Sequence, residues 1–312
     1  MKKFAAVLYV LFTGALIGLR CYIQNTLLEP DTGFYLENAL PVAIQNWALL
    51  AVCLIWLVLP LLVYPSRQEP LKHQGPSGLA QIFLGFVLVL SIVLDALFTN
   101  SSSALFTAAM LPQMLLWLLG TACGILFLVR GFGILKGKEY RSTAALFSYL
   151  LPVVWMVAVL VYHFVRYTAA LTISHQLFEI LFYLASTVFF LGHAGVLCDV
   201  CPLKSLRYSM IGGCIGSLFA FLLTIPAGAA YLMGNGDKIF CSQGQFVLFL
   251  GVGLYQLFYV LYCMKKSQPR QRRLREEPAV PSEEPVDPQK GLLELSLPGQ
   301  DETVPEPQDG QE

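Results

Sequence analysis

Long apolar runs alternate with short polar stretches along most of this chain. A run of about 20 residues, rising ~1.5 Å per residue as a helix, covers the ~30 Å hydrocarbon core of a bilayer. Lipid offers no partner for a peptide N–H or C=O, so an isolated apolar run can cross only as a helix. Eight runs qualify: Phe4–Leu19, Ile44–Tyr64, Leu79–Phe98, Ala104–Val129, Ala144–Phe164, Leu177–Leu197, Tyr208–Met233 and Phe246–Cys263. In the fourth, Ala104–Met110 is expected at the interface, with Pro112 opening the span proper. The first run follows Met1-Lys2-Lys3, which also fits a signal peptide. No small-x-small cleavage site follows it, and Arg20 before Cys21 spoils a lipoprotein box, so it reads as an uncleaved first span.

Lys and Arg decide which way such helices point. One side collects Lys2, Lys3, Arg67, Lys72, Arg130, Lys136, Lys138, Arg141, Lys204 and Arg207, and then the seven cations of residues 264–312. The other side has Arg20, Arg166 and Lys238. A division of 17 against 3 would be scrambled by one miscounted span. The expected fold is therefore all-α: an integral membrane bundle of about eight transmembrane helices over residues 1–263. Both termini are expected in the cytoplasm.

Composition agrees. Charged residues make up 13% of the chain, about half the share usual in soluble domains. The net charge of zero hides an asymmetry: residues 1–263 hold 13 Lys/Arg against 9 Asp/Glu, and residues 264–312 hold 7 against 11. No basic stripe interleaved with aromatics is present, which argues against nucleic-acid binding. Residues 264–312 open with the basic run Lys265–Arg275 and continue rich in Glu and Pro, a composition that cannot supply a core and predicts a disordered cytoplasmic tail. The basic run suits anionic lipids. Gly291–Leu297 is the tail's one apolar island, either a short protein-binding element or local composition.

Few residues carry chemistry. Asp95 lies inside the third run, where a carboxylate is costly and usually faces a bundle interior or water. It is either a cation, proton or ligand site, or a headgroup or helix-packing contact. Glu179 and His193 share the sixth run. Glu179 is a binding candidate, or else sits at the helix N-terminus, where the dipole favours a negative charge. His193 is a binding candidate or a packing hydrogen-bonder. Their 14-residue separation is about 21 Å along a helix, so the two do not touch. His163 and Arg166 read as interfacial. The long first outer loop, Arg20–Ala43, holds Glu29, Asp31 and Glu37 around a Pro30–Gly33 turn. Glu29 and Asp31 are tentative ligand contacts, without the spacing of a calcium loop.

Cys198-Asp-Val-Cys201 has the spacing of a thiol-redox pair or half a zinc site. The expected cytoplasmic side and the lack of a fourth ligand favour ordinary thiols. No metal, cofactor or catalytic group is expected. Cys21 and Cys241 fall on the same side, so a disulfide between them is an open alternative. In the seventh run Gly212, Gly216 and Ala220, with Ser209, Gly213 and Ser217, recur every four residues, which lets helices approach closely. Pro60, Pro112, Pro152 and Pro226 are expected to kink their spans.

Arg20 and Leu28-Glu29-Pro30-Asp31-Thr32-Gly33-Phe34 follow directly on the first run. This segment resembles the first loop of a family of uncharacterised multi-pass membrane proteins of clostridial-type bacteria. The resemblance spans about 15 residues. It implies a bacterial plasma-membrane location and no particular activity. The leading functional expectation is a small-solute or ion permease, or an accessory subunit of one. The alternative is a membrane sensor or scaffold that recruits partners through its tail.

Overall fold

The computed structural model describes residues 2–29, 35, 40–63, 76–99, 111–137, 147–167, 174–198, 201–239 and 241–266. The chain divides into two units, Met1–Gln268 and Pro269–Glu312. Every described residue belongs to the first. The acidic tail, Asp31 and Ala104–Met110 lie outside the described residues, as do all but the first two residues of Lys265–Arg275.

Each apolar run meets one helix: α1 Lys2–Thr26, α2 Leu40–Val63, α3 Pro76–Thr99, α4 Leu111–Leu135, α5 Leu151–Tyr167, α6 Ser174–Leu197, α7 Pro202–Leu232 and α8 Gln243–Lys266. A one-turn 3-10 helix, Gly236–Lys238, joins α7 to α8. The described residues form no strand; Leu28 and Tyr35 make one isolated antiparallel bridge. Seven of the helices are long and apolar enough to cross a membrane, and α5 is a shorter apolar helix. The chain is thus an all-helical, multi-pass membrane protein.

Helix starts follow proline chemistry. Pro112 and Pro152 occupy the second positions of α4 and α5. There a missing N–H costs nothing, so these prolines open helices and do not kink them. The fifth helix accordingly begins at Leu151, later than its apolar run suggests. Pro60 and Pro226 do lie inside α2 and α7.

Helix α7 is the hub. It packs against α6, α8, α1 and α2, while α3 pairs with α4 and α8, and α5 with α4 and α6. Of its spanning stretch 83% is buried, against 22% for α2 at the edge. Large apolar side chains such as Trp47, Leu118 and Val165 remain exposed on the outer faces, where lipid receives them.

Lipid is as apolar as leucine, so these helices associate mainly through close packing and hydrogen bonds. The α7 stripe serves two neighbours at once. Gly212 lies against the α6 backbone at Ala185 and Phe189, whereas Gly213 and Gly216 lie against Val260 and Gln256 of α8, and Ala220 faces Gly253 of α8. The α3–α4 seam has its own glycines at seven-residue spacing. A Cβ on Gly85 would come within 2.6 Å of the Gly124 carbonyl oxygen, and one on Gly131 within 2.7 Å of the Gly78 carbonyl oxygen. Buried hydroxyls lock the centre: the Tyr9 hydroxyl lies 2.6 Å from Ser217 Oγ, joining α1 to α7.

Candidate functional site

One end of the bundle is formed by the C-terminal ends of α3 and α5 and the N-terminal ends of α4, α6 and α8. Between them lies a cavity of about 350 Å³. Its polar wall comprises Ser91, Asp95, Gln113, His163, Ser242 and Gln245. Its aromatic wall comprises Trp117, Trp155, Tyr162 and Tyr183. Along the helices beyond the cavity the bundle is filled by buried Phe127, Phe189, Phe190 and Tyr255. Phe127 contacts both Phe190 and Tyr255, with ring centroids 6.1 and 6.4 Å apart. The cavity is thus a cup near one end of the bundle, with packed aromatic rings filling the bundle beyond it.

The start of α8 organises the polar wall. Ser242 and Gln245 form a capping box: the Gln245 N–H donates to Ser242 Oγ at 3.0 Å, and the Ser242 N–H donates to Gln245 Oε1 at 2.9 Å. Both capping side chains then reach outward. Ser242 Oγ donates to Asp95 Oδ1 at 2.5 Å, and Gln245 Nε2 donates to Glu179 Oε1 at 2.9 Å. Two carboxylates from α3 and α6 therefore converge on the positive end of the α8 dipole. Gly244 makes room for this, because a Cβ there would collide with the Asp95 carboxyl group and the Ser91 carbonyl.

Glu179 is the sixth residue of α6, buried and past the first turn. His163 Nδ1 lies 3.5 Å from Glu179 Oε1, an ion pair whenever the imidazole is protonated. The His163 ring stacks on Tyr183 at 5.1 Å. His163 is thus buried among the helices. The structure joins Asp95, Ser242, Gln245, Glu179 and His163 in one polar network across four helices. Sequence order alone separates them. Asp95 and Glu179 are legible as carboxylates within apolar runs, and for Ser242 and Gln245 the readable signal is the Ser-x-x-Gln pattern before an apolar run.

The remaining sequence candidates lie elsewhere. His193 is near the opposite end of α6, with Nε2 3.1 Å from the Tyr255 hydroxyl and its ring stacked on Phe189. Glu29 is exposed beyond α1. Arg20, expected in a loop, belongs to α1 and is 2% exposed. Its guanidinium lies 4.9 Å from the Phe178 ring and hydrogen-bonds the Tyr35 hydroxyl. Neighbouring contacts fasten this end of α1 to the α7–α8 connection: Gln24 Nε2 donates to the Lys238 carbonyl at 2.9 Å, and Lys238 Nζ donates to the Asn25 carbonyl at 2.7 Å.

Cys21 and Cys241 are free thiols. Burial, reinforced by the nearby Glu179 carboxylate, pushes the Cys241 thiol up to about 11. At the opposite end Cys198 and Cys201 form no disulfide. Burial raises the Cys198 thiol against the pull of Arg130, the reverse of what an activated nucleophile needs. Among the described residues no three His, Cys, Asp or Glu side chains cluster as metal ligands.

No protein-family model matches this chain, and no curated protein or solved structure does either.

Proposed function

We propose that this protein is a small-solute permease of the plasma membrane, or the solute-binding subunit of one, and that the cup at the ends of α3, α4, α5, α6 and α8 receives the solute. The observation that carries this reading is the cup itself. Polar groups from four helices and aromatic rings line one cavity near an end of the bundle, and packed rings fill the bundle beyond it. Polar side chains are expensive at membrane depth and tend to mark substrate paths. A cavity of some 300 Å³ or more, mostly apolar with a few convergent polar groups, is the usual form of a small-molecule site.

Eight spans, with α5 crossing despite its 17 residues, and the 17-to-3 division of Lys and Arg support a topology with both termini in the cytoplasm, which sets the cup on the outer side. The resemblance of the Arg20–Phe34 segment to clostridial-type membrane proteins supports a bacterial plasma membrane. A scaffold acting through residues 264–312 is a separate role that the cup does not favour.

Solute depletion from defined medium tests the permease reading. Cells expressing the protein are compared with cells carrying an empty vector and with cells carrying Leu116→Trp, which puts an indole into the cup. The expected result is accelerated loss of a small group of solutes, abolished by Leu116→Trp. If no solute depends on the protein, or Leu116→Trp at equal membrane abundance transports as well as the parent, the cup is not a permeation site.

A further inference from the structure

The sign of charge around the cup points to its ligand, an inference that rests on the cup being a solute site. Among the described residues the cavity wall holds the carboxylate of Asp95 and no Lys or Arg. Immediately behind the wall stands a second carboxylate, Glu179, reached through Gln245. Among the described residues the groups of opposite sign beside it include the partial charge at the α8 terminus and the imidazole of His163, which already faces Glu179 at 3.5 Å. Both side chains of the capping box also serve that terminus. Asp95 takes a hydrogen bond from Ser242 on Oδ1, and the Gln245 backbone N–H also points to its carboxyl group. A carboxylate can accept about four, two on each oxygen.

The cavity is also lined by aromatic rings. Trp117, Trp155, Tyr162 and Tyr183 line the same cavity as Asp95. The Trp155 indole is brought against α4 by Gly120, where a Cβ would lie 2.9 Å from Trp155 Nε1. Ring faces carry negative quadrupole potential and attract cations, most strongly when the cation is weakly hydrated and water is excluded. A bare sodium or potassium ion asks instead for a tight shell of oxygens. A 350 Å³ space with aromatic sides does not supply one. An organic ammonium fits both walls: its charge meets Asp95, and its methyl or methylene groups lie against the rings.

We infer that the cup binds a small organic cation of the ammonium class, with Asp95 as the counter-ion and Trp117, Trp155, Tyr162 and Tyr183 as the surrounding rings.

The full-length protein in lipid nanodiscs is titrated with choline and tetramethylammonium, and separately with sodium, potassium, betaine, acetate and glycerol. Intrinsic tryptophan fluorescence and isothermal calorimetry are the readouts. The expected result is saturable choline binding, weakened at least tenfold in Asp95→Asn and several-fold in Trp155→Phe. Asn keeps an acceptor for Ser242, so the first variant removes charge with little change of shape. If Asp95→Asn is unstable, Trp155→Phe together with the comparison of solutes on the unaltered protein decides the matter. Equal choline affinity in both variants overturns the inference, as does heat from sodium or potassium without heat from choline. Saturable binding of glycerol or acetate in place of choline, lost in Leu116→Trp, overturns the cation assignment while leaving the cup as a solute site. Transport insensitive to Leu116→Trp removes the cup itself.

Discussion

Replacing Gly85 of α3 and Gly228 of α7 by alanine, one at a time, separates backbone packing from intrinsic helix preference. Both glycines lie within helices, where alanine is favoured by roughly 0.5–1 kcal/mol because it loses less backbone entropy on folding. Their surroundings differ. At Gly228 the nearest atoms to an added Cβ belong to the Phe246 ring at 3.9 and 4.0 Å, an ordinary contact. At Gly85 the added Cβ would lie 2.6 Å from the Gly124 carbonyl oxygen and 2.8 Å from the Leu128 amide nitrogen. Those are backbone atoms of α4 and cannot rotate away. Relief requires the seam to open from 2.6 Å toward the 3.4 Å at which ordinary contact begins, disturbing the Gly78–Gly131 approach two turns further on. Forced overpacking of this kind costs about 1–3 kcal/mol. Gly85→Ala is therefore expected to lose about 0.5–2 kcal/mol net, and Gly228→Ala to gain a few tenths up to about 1. Thermal unfolding of the purified protein in one detergent, followed by tryptophan fluorescence, gives the sign of each shift. A Gly85→Ala protein that melts at or above the parent, or two alanine variants that shift alike, would refute the α3–α4 contact.

Ser242→Ala removes an N-cap and the Asp95 hydrogen bond together, and a loss of about 0.5–2 kcal/mol is expected by the same melting assay. Restoring the cap with Ser242→Thr should recover most of that loss; if alanine costs nothing, the capping box does not hold the α8 terminus. Arg20→Lys keeps the charge and loses the planar stack on Phe178 and the fork toward Tyr35, so a destabilisation of about 1 kcal/mol is expected. An unchanged melting point would show that the guanidinium is replaceable there. Cys241, at about 11 against a normal 9.0, should hold about a hundredfold less thiolate than an ordinary cysteine at neutral pH. Its maleimide labelling rate should keep rising tenfold per unit well past pH 9, and Glu179→Gln, which removes a carboxylate that raises the thiol, should move the curve to lower pH. A labelling rate that levels off near pH 9 argues against the burial described.

The helices were legible because each must hide its own backbone from lipid, and that requirement leaves an apolar run in the chain itself. The ends and the polar network were less so, for a common reason. Arg20 interrupts hydrophobicity and reads as the edge of a loop, yet Phe178 and Tyr35 hold it inside the bundle. His163 reads as an isolated residue near a span end until Glu179 and Tyr183 arrive from another helix. Asp95 stood out because a carboxylate in an apolar run is costly wherever it points. Its partner, Ser242, is an ordinary residue 147 positions away. Gly85 and Gly124 differ similarly from the α7 stripe: four-residue spacing within one helix is visible by itself, whereas a seam built from two helices has meaning only once the pair is known.

The polar groups of α7 bear on how the chain enters the bilayer during synthesis. Ser209, Ser217 and Thr224 are buried at the hub, yet each hydroxyl donates to a carbonyl of its own helix, at Leu206, Gly213 and Ala220. A nascent α7 released sideways from the insertion machinery before α8 has been made is therefore already satisfied internally. It can wait in lipid as a self-sufficient rod, and the ribosome has time to deliver the helix that finally covers it.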